Sequence, residues 1–434
     1  MFLFLLRQFG IIDPSPSLQG LMKRYLIYQM IISIVIMVSD TFFILYFIDA
    51  IGNTGLGIAL FFGFLTQALF DYPTGVIGDW IGQKYVAFVS FLSYALSFFF
   101  LYLTNDSLLE LTLIFCLVHF SQAQLSGTID SWFDNNYKAI GDDPERKNYV
   151  GFRGKIQAFL AFVGSTVLIF GGALSTITSR KFVFLVQVFG FLIIAVLIGI
   201  TMKDYYPRDK GTISLQSYKD YFINGFRIIL EDRGILFLSA SAVLFYSTLI
   251  VFGNFVMYSV YFGYTGTDFG ASIFRYIVWI FGFTLTWFIA DIIKKWNPHR
   301  IKEVHLFHSL YFYPLLGFFL LLIPIENNFL LEGVLISGFL INTGHLMRET
   351  IGILTARLYL DVIPDKSRNS FYSLIPTVVL VFSAPMTTIS GFIADEFNLG
   401  YLMFFLFVIA LSSSLLLILA IQILIERSQD NTKD

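Results

Sequence analysis

Residues 71–84 read Asp-Tyr-Pro-Thr-Gly-Val-Ile-Gly-Asp-Trp-Ile-Gly-Gln-Lys and end a long apolar run. The glycines Gly75 and Gly82 leave room for backbones to approach closely. Asp71, Asp79 and Lys84 set charges at a helix end, where they can lock or release a neighbouring helix. Pro73 lies within the helix, which a membrane bundle tolerates if neighbours satisfy the freed carbonyl. This chemistry is that of a latch rather than a reaction.

A second set of polar residues lies inside apolar runs, at helical spacing. Tyr25, Gln29, Ser33 and Asp40 share one face of the first run. His119, Gln122, Ser126, Asp130 and Asp134 do so in the fourth, Ser247, Asn254, Tyr258 and Tyr261 in the seventh, and Asn342, His345 and Glu349 in the tenth. Polar stripes facing lipid would be costly, so these four stripes are expected to face water or each other. Asp40 lies about 24 Å along its helix from Lys23 and Arg24, deep enough to feel desolvation. Two readings stand for it: a proton or substrate site, or a structural carboxylate that is paired across the bundle, with Arg275 a candidate partner, or held near the outer headgroups. Arg348, Glu349 and His345 likewise read either as a cavity cluster or as an ion-pair network holding one helix. Adjacent residues do not share a helical face, so Arg348 is expected to point away from Glu349. Asp130 and Asp134 are like charges one turn apart that need cations, and Arg153 and Lys155 are the nearest in sequence.

Composition sets the solvent. Of 434 residues 56% are hydrophobic and only 13% charged, against about 25% charged in soluble domains. Lipid bilayer is the expected partner. A net charge of −2 with no basic cluster argues against nucleic acid. The single cysteine, Cys116, permits no disulfide framework. The five histidines are scattered. His305 and His308 fall in a basic segment read as a membrane edge, with only Glu303 nearby in register, so no metal site is expected. No phosphate-cradling Gly-x-x-x-x-Gly-Lys sequence occurs, which argues against ATP-driven transport.

A span needs about 20 apolar residues. The sequence predicts an all-α membrane protein of twelve spans: 25–51, 55–79, 85–104, 108–134, 150–176, 182–202, 235–262, 267–291, 304–324, 329–356, 368–393 and 399–424. Residues 1–24 read as an interfacial segment, 25–202 as a six-helix bundle, 203–233 as a polar linker, 234–425 as a second six-helix bundle and 426–434 as a tail. Residues 215–233 could form an amphipathic surface helix. With both termini cytoplasmic, 21 of the 28 Lys and Arg residues fall on the cytoplasmic side. Only Arg180 and Lys181 fall opposite; the rest lie within helices.

The Gly-x-x-x-Asp-x-x-Gly-x-Lys pattern at 75–84 resembles the loop between the second and third helices of the major facilitator superfamily of transporters. The resemblance runs from about residue 25 to 424. Ser126-Gly127-x-x-Asp130-x-x-x-Asp134 is similar to a pattern at the cytoplasmic end of helix 4. Ile363-Pro364-x-x-x-Arg368 is similar to the turn before helix 11, and Gly391 to Asp395 to the end of that helix. Asp291 with Lys294 and Lys295 sits where a second, degenerate copy of the loop motif belongs. The chain departs from the pattern at Gln83, where the family often has a basic residue. It also lacks the Gly-Pro-rich antiporter signature of helix 5.

The resemblance implies two six-helix bundles and a substrate site near the midplane, with helices 1, 4, 7 and 10 lining the cavity. It implies a secondary transporter of a small solute, driven by an ion gradient, of protons or another ion, or by the solute's own gradient; the plasma membrane, a monomer and no cofactor are the matching expectations. The substrate and proton candidates are Asp40, Gln29, Gln122, Asn254, Arg275, His345, Arg348 and Glu349. The gating set is Asp71, Gly75, Asp79, Gly82, Lys84, Asp130, Asp134, Arg153, Asp291, Arg368 and Asp395. The rival is a transporter-fold receptor or membrane scaffold that moves nothing.

Overall fold

A computed structural model describes residues 15–140, 147–203, 205, 223, 226–227, 229–293, 295–325, 328–363 and 365–430. Side chains at 72, 75–76, 79–80, 147–151, 153–154, 158, 283, 287, 290–291, 360–361, 365–373 and 428–430 fall outside the description. Residues 1–14 and most of 206–228 also fall outside, and with them most of the expected interfacial segment and of the surface helix.

The described residues form helices and no strand. They are α1 (Pro16–Met37), α2 (Asp40–Ile81), α3 (Gln83–Leu103), α4 (Leu108–Leu125), α5 (Thr128–Ile140), α6 (Lys147–Ile177) and α7 (Arg180–Thr201). After the linker come α8 (Arg233–Val251), a π-helical turn (Phe252–Met257), α9 (Tyr258–Gly263), α10 (Asp268–Ile293), α11 (Ile301–Leu322), α12 (Leu331–Val362), α13 (Asp365–Glu396) and α14 (Leu399–Asp430).

Local chemistry explains several ends. Ser15 accepts from the Leu18 N–H at 3.3 Å and Pro16 opens α1, so the helix starts earlier than hydropathy alone suggests. Asp232 accepts from the Gly234 and Ile235 N–H groups and caps α8. Gly82, between α2 and α3, has φ +110°, a conformation that favours glycine. Its glycine is thus required by the turn itself rather than by the close helix approach expected from sequence.

Ten stretches of described residues are long and apolar enough to cross a membrane. The twelve of the sequence reading are not reproduced at that standard, for two reasons. The stretch Pro16–Asp71 counts once but holds 56 residues, about 84 Å of helix against about 30 Å of hydrocarbon. It is broken inside α2 at Gly52, with φ +71° and ψ 175°. In α12 the polar stripe interrupts the apolar run.

An exposed apolar row runs along α7. Phe182, Val186, Phe189, Ile193, Val196 and Ile200 recur at steps of three and four and are all exposed, Ile200 to 72%. A row of large apolar side chains along a whole helix has hydrocarbon as its natural solvent.

By contacts the chain divides into two compact units. One comprises Met1–Phe43 and Leu69–Thr212; the other comprises Ile44–Ala68 and Ile213–Asp434. In the first unit α3 packs on α7 and α4, and α1 on α6 and α7. In the second, α11 packs on α14 and α12, and α8 on α13 and α14. Numbered as spans, the second set repeats the first at an offset of six. Each unit thus has the same internal pairing, as a parallel duplication requires. The second unit is cored by Leu238, Phe245, Ile351, Leu354, Leu358, Leu374, Leu417 and Ile421, all under 5% exposed.

Candidate functional site

Three of the four spans expected to line a cavity are interrupted, and each interruption adjoins a residue of its polar stripe. The first lies between α1 and α2 at Val38–Ser39, directly before Asp40. The break frees backbone carbonyls. Gln187 of α7 takes one of them, donating from Nε2 to the Val35 oxygen at 2.7 Å. Gly171 of α6 lies so close to the Val38 carbonyl that any Cβ there would collide with it. Asp40 opens α2 half-buried.

The second break separates α4 from α5 at Ser126–Gly127, where Gly127 has φ +67°. Asp130 stands in the first turn after it. Its Oδ1 accepts from the Tyr25 hydroxyl at 2.7 Å and from Gln29 Nε2 at 3.1 Å. Tyr25 is fully buried and stacks on Phe133, ring centroids 4.1 Å apart. The stripes of α1 and of α4–α5 therefore meet at Tyr25, which sequence placed on a stripe but not in the site. Gln122 accepts from the buried Tyr94 hydroxyl. Asp71 hydrogen-bonds the Ser126 side chain, and Thr74 donates to the Ala123 carbonyl at 3.1 Å. These contacts tie the end of α2 to the break in the fourth span.

The third interruption is the π-helical turn, which contains Asn254. Its Nδ2 donates back to the Ile250 carbonyl at 2.8 Å, one of the groups a π turn displaces. Just beyond lie Tyr258 and Tyr261. Arg275 of α10, only 2% exposed, holds its guanidinium against two rings, 5.0 Å from the Tyr258 centroid and 4.7 Å from that of Trp279. Cation–π contact of this kind stabilises a desolvated guanidinium by about 2 kcal/mol. Trp279 was not legible as part of the site. Tyr261 is sealed, and its hydroxyl meets no partner among the described residues.

The fourth stripe, on α12, is continuous. Its Arg348 and Glu349 form an ion pair, Nη2 to Oε1 2.5 Å and Nε to Oε1 3.1 Å. The expectation that they point apart is corrected: the long guanidinium stem folds back across the roughly 100° between neighbours. Their side chains are 39% and 45% exposed. Charges open to that degree in mid-span have water as their natural neighbour, not hydrocarbon. His345 is half-buried one turn away, and Asn342 lies 3.1 Å from where a Cβ on Gly282 would stand.

His305 and His308 lie on α11. Both are buried in the second unit, 2% and 1% exposed. His305 Nδ1 is 2.8 Å from Ser414 Oγ, which is 2.9 Å from Ser309 Oγ. A basic flank in sequence hid this apolar side of α11. No group of acids, histidines and cysteines among the described residues could hold a metal ion.

Of the gating set, Gly82 makes the turn, Lys84 is half-buried, and Asp134 is half-buried one turn after Asp130. The side chains of Asp79, Arg153, Asp291 and Arg368, and the surroundings of Gly75, lie outside the described residues. Asp395 ends α13 and binds the backbone of α2. A groove of about 560 Å³ at the α3–α4 turn, lined by Phe100, Leu103, Leu113 and Leu117 among others, contains none of the expected site residues.

No family model matches the chain, and no curated protein is similar to it in sequence. Solved structures are similar in fold. The nucleoside transporter NupG superposes with a TM-score of 0.73 over 93% of this chain and 99% of that one, at 12% identity. A point mutant of NupG matches equally, over 92% of this chain. The POT family transporter PepTSo superposes with a TM-score of 0.68 over 93% of this chain and 97% of that one, at 11% identity. The chain therefore shares the fold of these solved structures.

Proposed function

We propose that the chain is a secondary transporter that moves a small solute across the membrane by alternating access. The observation that carries this reading is the placement of the breaks. The first, fourth and seventh spans are each interrupted beside a polar residue, Asp40, Asp130 and Asn254, and the tenth carries an open ion pair. Interrupted spans leave backbone dipoles and side chains free to bind solute, where an unbroken apolar helix offers nothing polar. A scaffold gains nothing from such interruptions, and charges kept within spans are costly.

In this reading both termini and the 203–233 linker are cytoplasmic, the membrane is the plasma membrane, and the Gly75–Lys84 segment is a cytoplasmic latch. Protons or another ion supply the coupling, with Asp40 the first candidate carrier and Glu349 the second. Nucleosides head the list of solutes to try, because one structural neighbour is a nucleoside transporter.

The test is a thermal-shift screen of the purified chain against nucleosides, other metabolites and ions at two pH values. A ligand that binds the folded state raises its apparent stability. Hits then go to uptake in proteoliposomes. A stabilising hit that is also taken up supports the reading; hits that bind yet are never taken up, with or without an ion gradient, would point to the receptor alternative.

A further inference from the structure

The carboxylate of Asp395 lies at the break in α2, and nothing in the local sequence pairs the two. At Gly52 the helix stops and restarts, so the N–H groups that open the new segment need acceptors. Gly52 has no side chain to act as its own cap. Asp395, at the end of α13 and 342 residues from Asn53, supplies the acceptors instead. Its Oδ1 accepts from the Asn53 backbone N–H at 3.1 Å and from Asn53 Nδ2 at 2.8 Å. Its Oδ2 accepts from the Thr54 N–H at 2.7 Å. The result is a helix cap provided by a different helix.

Below the cap the two helices meet backbone to backbone. A Cβ on Gly57 would stand 2.6 Å from the Thr387 carbonyl oxygen and 3.0 Å from the Thr388 Cα. One on Gly391 would collide with the Asn53 carbonyl. The Thr387 and Thr388 hydroxyls reach the Gly57 oxygen at 3.4 and 3.3 Å. The seam is close-fitting yet weakly bonded. Its strongest contacts, those to Asp395, are exposed, so water can replace either side when they part. Asn53 Oδ1 is sealed in the closed arrangement with no donor among the described residues, which opposes closure. These properties suit a contact that opens and closes rather than a permanent weld.

We propose that Asp395 is a positioning residue that clasps one mouth of the transport path. It holds α2 against α13 by capping the segment that begins at Asn53, and releases it when water takes over those N–H groups. This rests on the transport reading for its purpose but not for its test. The clasp lies at the start of the α2 segment that follows Gly52 and the Gly75–Lys84 latch at the other end of that segment, so one span would carry a closing device at each end.

The test uses Thr387→Cys, fully buried at the seam, with Cys116→Ala as background. The purified chain is reacted with a soluble maleimide, and the labelling rate reports how often the seam opens. Asp395→Ala removes the cap and should raise that rate about tenfold, the scale of one charge-assisted hydrogen bond. Gly57→Ala wedges the seam directly and should do the same with the cap intact. Asp395→Asn keeps an acceptor oxygen and should fall between, which serves if the alanine variant does not fold. Labelling at the parent rate in both Asp395 variants overturns the clasp, whether or not the chain transports. Faster labelling in a protein that moves no solute keeps the clasp and rejects the transport reading.

Discussion

Arg348 and Glu349 are neighbours in sequence and partners in space, joined by two contacts to a single carboxylate oxygen. The pair is formally neutral, so α12 carries a charge-bearing but uncharged step in its middle. Such a pair can be opened by a solute that offers the guanidinium a better acceptor, or by a proton that takes the carboxylate. A structural weld would be buried more deeply than these side chains are.

Glu349→Gln should leave the fold intact and cut uptake at least about tenfold. The negative partner of an exposed ion pair, worth about 0–1 kcal/mol of stability, is lost and the guanidinium stays behind. Circular dichroism and melting should change little because the site is open to water, while uptake in proteoliposomes falls. Unchanged uptake would make the pair a bystander.

Tyr25→Phe removes the shorter of the two bonds to Asp130 without changing shape. The melting temperature should fall by a few degrees, since one charge-assisted bond is lost and Gln29 remains. A melting temperature equal to the parent would show that the α1–α5 contact carries no stability.

If transport is coupled to protons, Asp40→Asn should abolish pH-driven uptake but preserve exchange of solute across the membrane. Exchange does not require the proton to be released. Loss of both activities together with poor folding would mark Asp40 as structural. Full pH-driven uptake would pass the role to Glu349.

Single cysteines at Asn105 and Ser214, again on a Cys116→Ala background, should react from opposite faces of intact cells. An impermeant reagent applied outside should reach the first and not the second. Equal reaction from outside would refute the cytoplasmic linker.

Much of the fold was legible because it depends on local patterning. Apolar runs, polar linker and stripes are properties of consecutive residues, and the stripes of the first and fourth spans do meet at Tyr25, Gln29 and Asp130. What escaped depends on contacts far apart in the chain or on side-chain reach. Trp279 looks like any apolar residue until Arg275 lies on it. His305 and His308 sit beside basic residues, yet their face of α11, which also carries Ser309, turns inward toward Ser414 of α14. Face geometry separates Arg348 from Glu349, and a flexible stem rejoins them. The break at Gly52 falls where the spans were divided, in the run Gly-Asn-Thr-Gly, but nothing nearby announces a cap from Asp395.

The seam between α2 and α13 also has a consequence for biosynthesis. Gly57 and Thr387 are separated by 330 residues. At about 5–20 residues per second a ribosome needs roughly 16–66 s to make the second after the first. For that interval the Asn53 and Thr54 N–H groups have no Asp395 to bind, and the glycine face of α2 has no α13 to cover it. The first unit can be complete long before then, yet the stretch Ile44–Ala68 sits within its sequence and must wait, held by water, lipid headgroups or the insertion machinery, until nearly the whole chain has been made.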